Sequence, residues 1–279
     1  MTATMIPLDG RPRIMGILNV TPDSFSDGGV YLDPEHAVER GLEMVAAGAD
    51  IIDVGGESTR PGSDGVSEAE EMRRVIPVLE ALARKTDVPL SVDTVKPAVA
   101  EAALGVGARI LNDVSGLRHG DEMARLAEKT GATLVLMHSR GTPKTMAGLA
   151  EYHDVVAEVK QELLLSVEKA LAAGVERSRI WIDPGLGFAK RAGDSLSLLA
   201  HLEAFVALGY PVLVGPSRKS FIGEVMASNV NGRQGGTAAA VTISVLKGAA
   251  VVRVHDILEM RQAAVVAHAL RTRSEVTHV

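Results

Sequence analysis

The 279-residue chain contains no cysteine, which excludes disulfides and thiolate metal centres and fits a reducing compartment. Aromatic residues are scarce at 3%, although 46% of the chain is apolar, so a core must be assembled from Val, Ile, Leu, Ala and Met. Aliphatic runs of that kind suit a parallel sheet covered by helices. No stretch approaches the roughly 20 uninterrupted apolar residues of a membrane span. Residues 1–13 lack an apolar segment behind a basic start, so no secretion signal is read and a cytoplasmic location is expected. A basic stripe is also missing. The net charge is −6 with Lys and Arg scattered, which speaks against nucleic acid as a partner. The eight histidines show neither H-x-H nor H-E-x-x-H spacing, and there is no G-x-S-x-G elbow for acyl transfer.

What the chain does have is a recurring unit. Strands are expected at Ile14–Val20, Ile51–Gly55, Leu90–Asp93, Ile110–Val114, Leu134–His138, Ile180–Asp183, Val212–Gly215 and Val251–His255, each followed by a helical pattern. Asp33-Pro34-Glu35 reads as a helix start, and Ser67-Glu68-Ala69-Glu70 as a capping box. Gly48-Ala49-Asp50-Ile51 recurs in form at Gly107–Ile110, Gly131–Leu134 and Gly248–Val251. In each, a glycine closes a helix in a left-handed cap and leads into a strand, and Gly174 and Gly209 do similar work. Eight βα units without a composition break predict an α/β fold: a single (β/α)8 TIM barrel over residues 1–279, its core about 14–271. A doubly wound open sheet is the structural alternative.

Nearly every expected strand ends in a polar residue that an aliphatic strand does not need: Asn19, Asp93, Asn112-Asp113, His138, Asp183 and Arg253-Val254-His255. Glu57-Ser58-Thr59-Arg60 follows the second strand and Ser217-Arg218-Lys219-Ser220 the seventh. In a barrel all of these meet at the C-terminal rim, where active sites are built. Asp93, Asn112 and Asp183 offer acceptors and one amide donor, a set matching an aminopyrimidinone-like heterocycle. The alternative for each aspartate is a cap on a helix or a pairing with an arginine. Asn19, Arg253, His255 and the Ser217–Ser220 turn form a second, donor-rich group suited to a phosphate or diphosphate. Mg²⁺ held by Asn19 and phosphate oxygens is compatible with this set. Lys219 reads equally well as a solvated surface lysine, and His138 reads as a satisfied rim histidine.

The motifs resemble those of the dihydropteroate synthases along nearly the whole chain. Met15–Gly29 and Asp53–Gly62 are similar to the two long signatures of that family. Ser91-Val92-Asp93-Thr94, Asn112-Asp113, Asp183–Phe188, Ser217–Ser220 and Arg253-Val254-His255 continue the pattern in order. The resemblance implies a pterin held by Asp93, Asn112, Met137, Asp183, Gly215, Lys219 and Arg253. It implies diphosphate contacts from Asn19 (with Mg²⁺), Thr59, Arg253 and His255. Around p-aminobenzoate it implies Phe25, Thr59, Arg60, Pro61, Phe188, Lys219 and Ser220.

The catalytic roles implied fall on Asp93, Asp183, Lys219, Arg253 and His255, for an alkyl transfer with loss of diphosphate in folate synthesis. Sulfonamides are implied as competitors, a homodimer as the assembly, and closing loops with flexible backbone at Gly28-Gly29 and Gly55-Gly56. The last helix, with Ile257, Met260, Ala264 and Val265, could pack on a partner or only on the barrel. Two rivals remain at this point. A methyltetrahydrofolate-dependent corrinoid methyltransferase would have no need of the diphosphate clamp. A catalytically silent pterin-binding paralogue would be expected to show a lesion at a matched position, and none is seen.

Overall fold

Aliphatic runs and glycine-capped helices alternate through the computed structural model, which describes residues 8–21, 34–60 and 62–273. The strands are β1 (Arg13–Asn19), β2 (Ile51–Gly55), β3 (Leu90–Asp93), β4 (Ile110–Asp113), β5 (Thr133–Met137), β6 (Ile180–Asp183), β7 (Leu213–Val214) and β8 (Val251–Val254). The helices are α1 (Pro34–Ala46), α2 (Glu68–Lys85), α3 (Pro97–Gly105), α4 (Glu122–Thr130), α5 (Val155–Ala172), α6 (Ala192–Ala200), α7 (Glu203–Val206), α8 (Ser220–Met226), α9 (Gln234–Leu246) and α10 (Ile257–Thr272). All strand pairs are parallel, in the order β6-β5-β4-β3-β2-β1-β8-β7. A parallel bridge between Ile182 and Val212 brings β6 back to β7 and closes the ring. This is the (β/α)8 barrel that the repeating units predict, and the open-sheet alternative falls away.

The pleat sorts each strand into two faces. Ile52, Val54, Val92, Leu111, Leu134, Leu136, Ile182, Val214 and Val252 pack outward against the helices. A separate cluster fills the barrel interior with Met15, Ile51, Ile110, Val135, Trp181, Leu213 and Val251. Two residues further along each of six strands lies the next inward position: Asp53, Asn112, Met137, Asp183, Gly215 and Arg253. The apolar layer is therefore the floor on which the polar rim stands.

Gly48, Gly107, Gly131, Gly174, Gly209 and Gly248 all have positive φ, as the glycine-cap reading expects. The capping box at Ser67 is half made. Ser67 accepts from Glu70 N at 3.2 Å, but the Glu70 carboxylate turns to Arg73 and Arg74 instead of back to the cap. Strand β7 is shorter than expected. Gly215 and Pro216 leave the ladder, and proline has no N–H to offer it. Asp33 lies outside the described residues. Gly56 corrects an expectation: a Cβ there would lie 2.7 Å from Val75 Cγ1, so it serves close packing of α2 on the barrel, not flexibility.

Candidate active site

Asp53 sits at the centre of the rim, fully buried in the middle of β2. Its Oδ2 accepts from Arg253 Nε at 2.6 Å and from Asn112 Nδ2 at 3.0 Å. Arg253 Nη2 reaches Asp93 Oδ2 at 2.7 Å, so one guanidinium from β8 bridges carboxylates on β2 and β3. Asp53 Oδ1 is buried without a partner among the described residues. An acceptor left unpaired in this way costs about 1–3 kcal/mol, which a ligand donor would recover.

The charges are poised by burial. Burial raises the Asp93 carboxyl; Arg253 opposes the shift, while Asp53 and Glu71 add to it. Asp183 is pushed up to about 6, mainly by burial, although it accepts from Gly185 N at 2.7 Å. For Arg253, burial works against the charged form, but Asp53 and Asp93 outweigh it and the pKa rises. Lys219, entering from the turn before α8, is pushed down to about 8 by burial and then by Arg253. Its ammonium stands 4.0 Å from the centre of the Phe188 ring, a cation–π contact.

Beside this cluster lies a bonded pair, Ser217 and His255. His255 Nδ1 is 2.9 Å from Ser217 Oγ, and His255 N donates to the same oxygen at 3.2 Å. The hydroxyl proton of Ser217 is then free to donate to Nδ1, leaving Nε2–H as the ring's outward donor. Burial, with Arg218 and Arg253 adding, pushes His255 down to about 3, so the ring is neutral. The Asn19 side chain is half-buried at the end of β1 and makes no hydrogen bond among the described residues. Its Oδ1 and Asp93 Oδ2 both flank Gly55, at 3.8 and 3.7 Å from where a Cβ would stand.

The loops after β2 and β5 meet above the rim. Gly62 N donates to Pro143 O at 2.9 Å, and Lys144 pairs with Asp64. Beneath them is a cavity of about 320 Å³ whose walls include Thr59, Glu71, Asp93, Arg118 and Phe188. It reaches the cluster through Asp93 and does not include Asp183 or Asn112 in its wall. The direct bonds through Asp53 and Arg253 define the site more firmly than that boundary does.

A family model described as pterin binding enzyme matches residues 15–255. The dihydropteroate synthase of Bacillus subtilis is 46% identical over 268 residues, covering 96% of this chain and 92% of the relative. The solved dihydropteroate synthase of Xanthomonas albilineans with 4-aminobenzoic acid superposes at TM-score 0.89 with 45% identity, covering 95% of each chain. That of Yersinia pestis in complex with a sulfonamide drug superposes at 0.91 with 42% identity, covering 98% and 99%.

The chain belongs to the dihydropteroate synthase family of pterin-binding enzymes.

In this member of the family, Asp93, Asn112 and Arg253 form one bonded cluster, with Asp183 and Lys219 electrostatically coupled to it. Arg253, expected on both the ring and the anion side, is bonded to Asp53 and Asp93. Met137 is buried beside Asp183, its register partner across β5 and β6. A Cβ on Gly215 would lie 3.8 Å from Arg253 Cβ. Thr59 is half-buried in the cavity wall, while Arg60 and Ser220 are exposed. Phe25, Pro61 and Gly28-Gly29 lie outside the described residues. Asp113 turns away and caps Ser115 N and Leu117 N, both at 2.8 Å. His138 is a buried, bonded histidine as its sequence context suggests, held by Glu162 and Lys190. Residue-by-residue reading missed Asp53, although a carboxylate inside Ile51-Ile52-Asp53-Val54 was a usable signal. It also missed Lys96, which ties Glu57 to the buried Glu71 beside the cavity.

Proposed function

We propose that this member of the dihydropteroate synthase family joins (7,8-dihydropterin-6-yl)methyl diphosphate to p-aminobenzoate, giving 7,8-dihydropteroate and diphosphate. The observation that carries the reading is the cluster at the barrel rim in which Arg253 and Asn112 both donate to Asp53 and Arg253 also donates to Asp93, with Asp183 and Lys219 coupled to it by charge. A ring with several N–H donors and a carbonyl supplies what these buried acceptors and the one amide lack.

In the reaction the C–O bond to the pterin methylene breaks and its electron pair leaves with diphosphate. The cation spreads over the electron-rich ring, where ionised Asp93 and Asp183 stabilise it. The arylamine nitrogen then forms the C–N bond, and the acidic anilinium releases its proton to solvent. Arg253 keeps Nη1 without a partner among the described residues, available for an anion, and neutral His255 offers Nε2–H. Lys219 over Phe188, with Thr59, Arg60 and Ser220 at the entrance, forms the arylamine side. Sulfonamides compete there by mimicking p-aminobenzoate, as the drug complex of the Yersinia relative supports.

The lone half-buried amide of Asn19 fits a largely hydrated Mg²⁺ that takes its remaining ligands from the diphosphate. When bound, the ion would withdraw charge from the leaving group. We also place the protein in the cytosol, in keeping with its lack of cysteine and of any helix, among the described residues, long and apolar enough to cross a membrane. It forms a homodimer in this reading. Ile257, Met260 and Ala264 pack on the barrel, but Leu258, Val265, Val266 and Leu270 of α10 and Ile243 and Leu246 of α9 stay exposed. Such an apolar face suits a self-complementary interface.

The test is diphosphate release on mixing both substrates. Release in step with dihydropteroate, and none when p-aminobenzoate is omitted, is expected. Methyl transfer to a corrinoid, or pterin binding with no turnover, would overturn the reading.

A further inference from the structure

Behind the site, Lys190 is buried, which pushes its amine down to about 7, and no carboxylate among the described residues bonds to it. Its three acceptors are His138 Nδ1 at 2.8 Å, Phe188 O at 2.9 Å and His138 O at 3.4 Å. On its far side, His138 Nε2 lies 2.9 Å from Glu162 Oε2, and Glu162 is itself paired with Arg140. Burial pushes His138 down to about 4, so the ring is neutral. Nδ1 therefore accepts from Lys190, and Nε2–H donates to Glu162. Removing an ammonium from water is costly unless the geometry around it compensates. A methionine would fill the same volume without that cost.

What the ammonium holds is an unusual stretch of backbone. Gly185, Gly187 and Ala189 all have positive φ, at 68°, 77° and 49°. Ala189 is not a glycine, so it is strained there. The stretch is pinned at three points: Gly187 N donates to Ser195 Oγ at 3.1 Å, Tyr152 Oη donates to Ala189 O at 2.9 Å, and Lys190 donates to Phe188 O. Phe188 presents the ring beside which Lys219 Nζ rests at 4.0 Å.

We propose that Lys190 is a positioning residue that, through the Phe188 carbonyl, fixes the Phe188 ring and hence Lys219, and so sets the affinity for the arylamine substrate. This rests on the reading of Phe188 and Lys219 as the arylamine side of the site. Lys190→Met removes all three donors, and Lys190→Gln keeps one that can serve Phe188 O. Phe188→Ala tests the underlying reading in parallel.

For Lys190→Met the KM for p-aminobenzoate should rise about tenfold, the scale of one lost charged hydrogen bond. Affinity for the pterin diphosphate, titrated without the amine, should stay at the wild-type value, and Lys190→Gln should recover part of the loss. A wild-type KM in Lys190→Met beside a raised KM in Phe188→Ala would overturn the inference alone. Equal losses for both substrates together with a lowered Tm would reduce Lys190 to a structural role, which also overturns it. An unchanged KM in Phe188→Ala would remove the reading beneath the proposal and the proposal with it. Where Lys190→Met does not fold, Lys190→Gln carries the same comparison.

Discussion

Asp183 carries the sharpest expectation at the scale of single residues. Its carboxyl is pushed up to about 6, chiefly by burial, and only the ionised form stabilises a cationic pterin. Turnover should therefore fall as pH drops through about 6. Asp183→Asn should lose its own part of that acidic limb, leaving the part due to Asp93, whose carboxyl burial also raises, together with about 100-fold in kcat/KM, a typical loss for one electrostatic group. A pH–rate profile of the variant checks both, and an intact acidic limb would move the titration to another group. Ser217→Ala releases the His255 ring from its tautomer and should raise the KM for the pterin diphosphate several-fold, with little change for p-aminobenzoate. Steady-state kinetics with each substrate varied in turn separates the two. Much of this cluster was legible beforehand, because a polar side chain at the tip of an aliphatic strand has few other reasons to be there. Asp53 escaped that rule, lying two residues before the end of its strand. Lys190 gave no local sign at all: its burial depends on His138, 52 positions away.

Among the elements, the turn after β6 is the most constrained. A Cβ on Gly185 would stand 2.0 Å from the carbonyl oxygen of His138, at φ 68°, so no other residue fits. Gly185→Ala should cost more than about 2 kcal/mol, through strain and displaced backbone together. Gly193, in the first turn of α6, meets nothing within 4 Å. Gly193→Ala should leave activity intact and stabilise by up to about 1 kcal/mol, from helix propensity alone. Thermal unfolding of the pair, with assays on the folded fractions, tests whether these glycines differ as described. Helix ends were readable because a glycine at positive φ has a backbone cause visible in one residue. The half-made capping box was not, because the Glu70 carboxylate chose between a backbone N–H and two arginines one turn on.

For the whole molecule, the raised acid groups make the site a stability liability. The folded pKa of Asp183, about 6, lies above its ordinary value of 3.8. The unfolded chain thus loses its proton first, and stability from this group falls as pH rises from about 4 to 6, then levels off. At ~1.4 kcal/mol per pH unit, the cost at pH 7 is on the order of 2–3 kcal/mol. Asp183→Asn should accordingly be more stable than wild type at pH 7 while less active, and denaturant unfolding at pH 4.5 and pH 7 should show the difference shrinking at the lower value. The eight-unit plan was legible because aliphatic runs and glycine caps recur together. Closure followed from the count of eight units, but the contacts that make it did not: Ile182 pairs with Val212 and Ile182 N donates to Pro211 O at 3.0 Å, contacts set by the twist of the whole sheet.

The central claim is that strand tips from across the barrel build one ring-binding pocket. Calorimetric titration of 6-hydroxymethyl-7,8-dihydropterin, which lacks the diphosphate, into wild type, Asp93→Asn, Asn112→Ala and Asp183→Asn tests it most directly. Each variant should bind at least about tenfold more weakly, as expected for loss of a buried hydrogen bond partner. Wild-type affinity in any two of the three, with the fold intact, would contradict the claim.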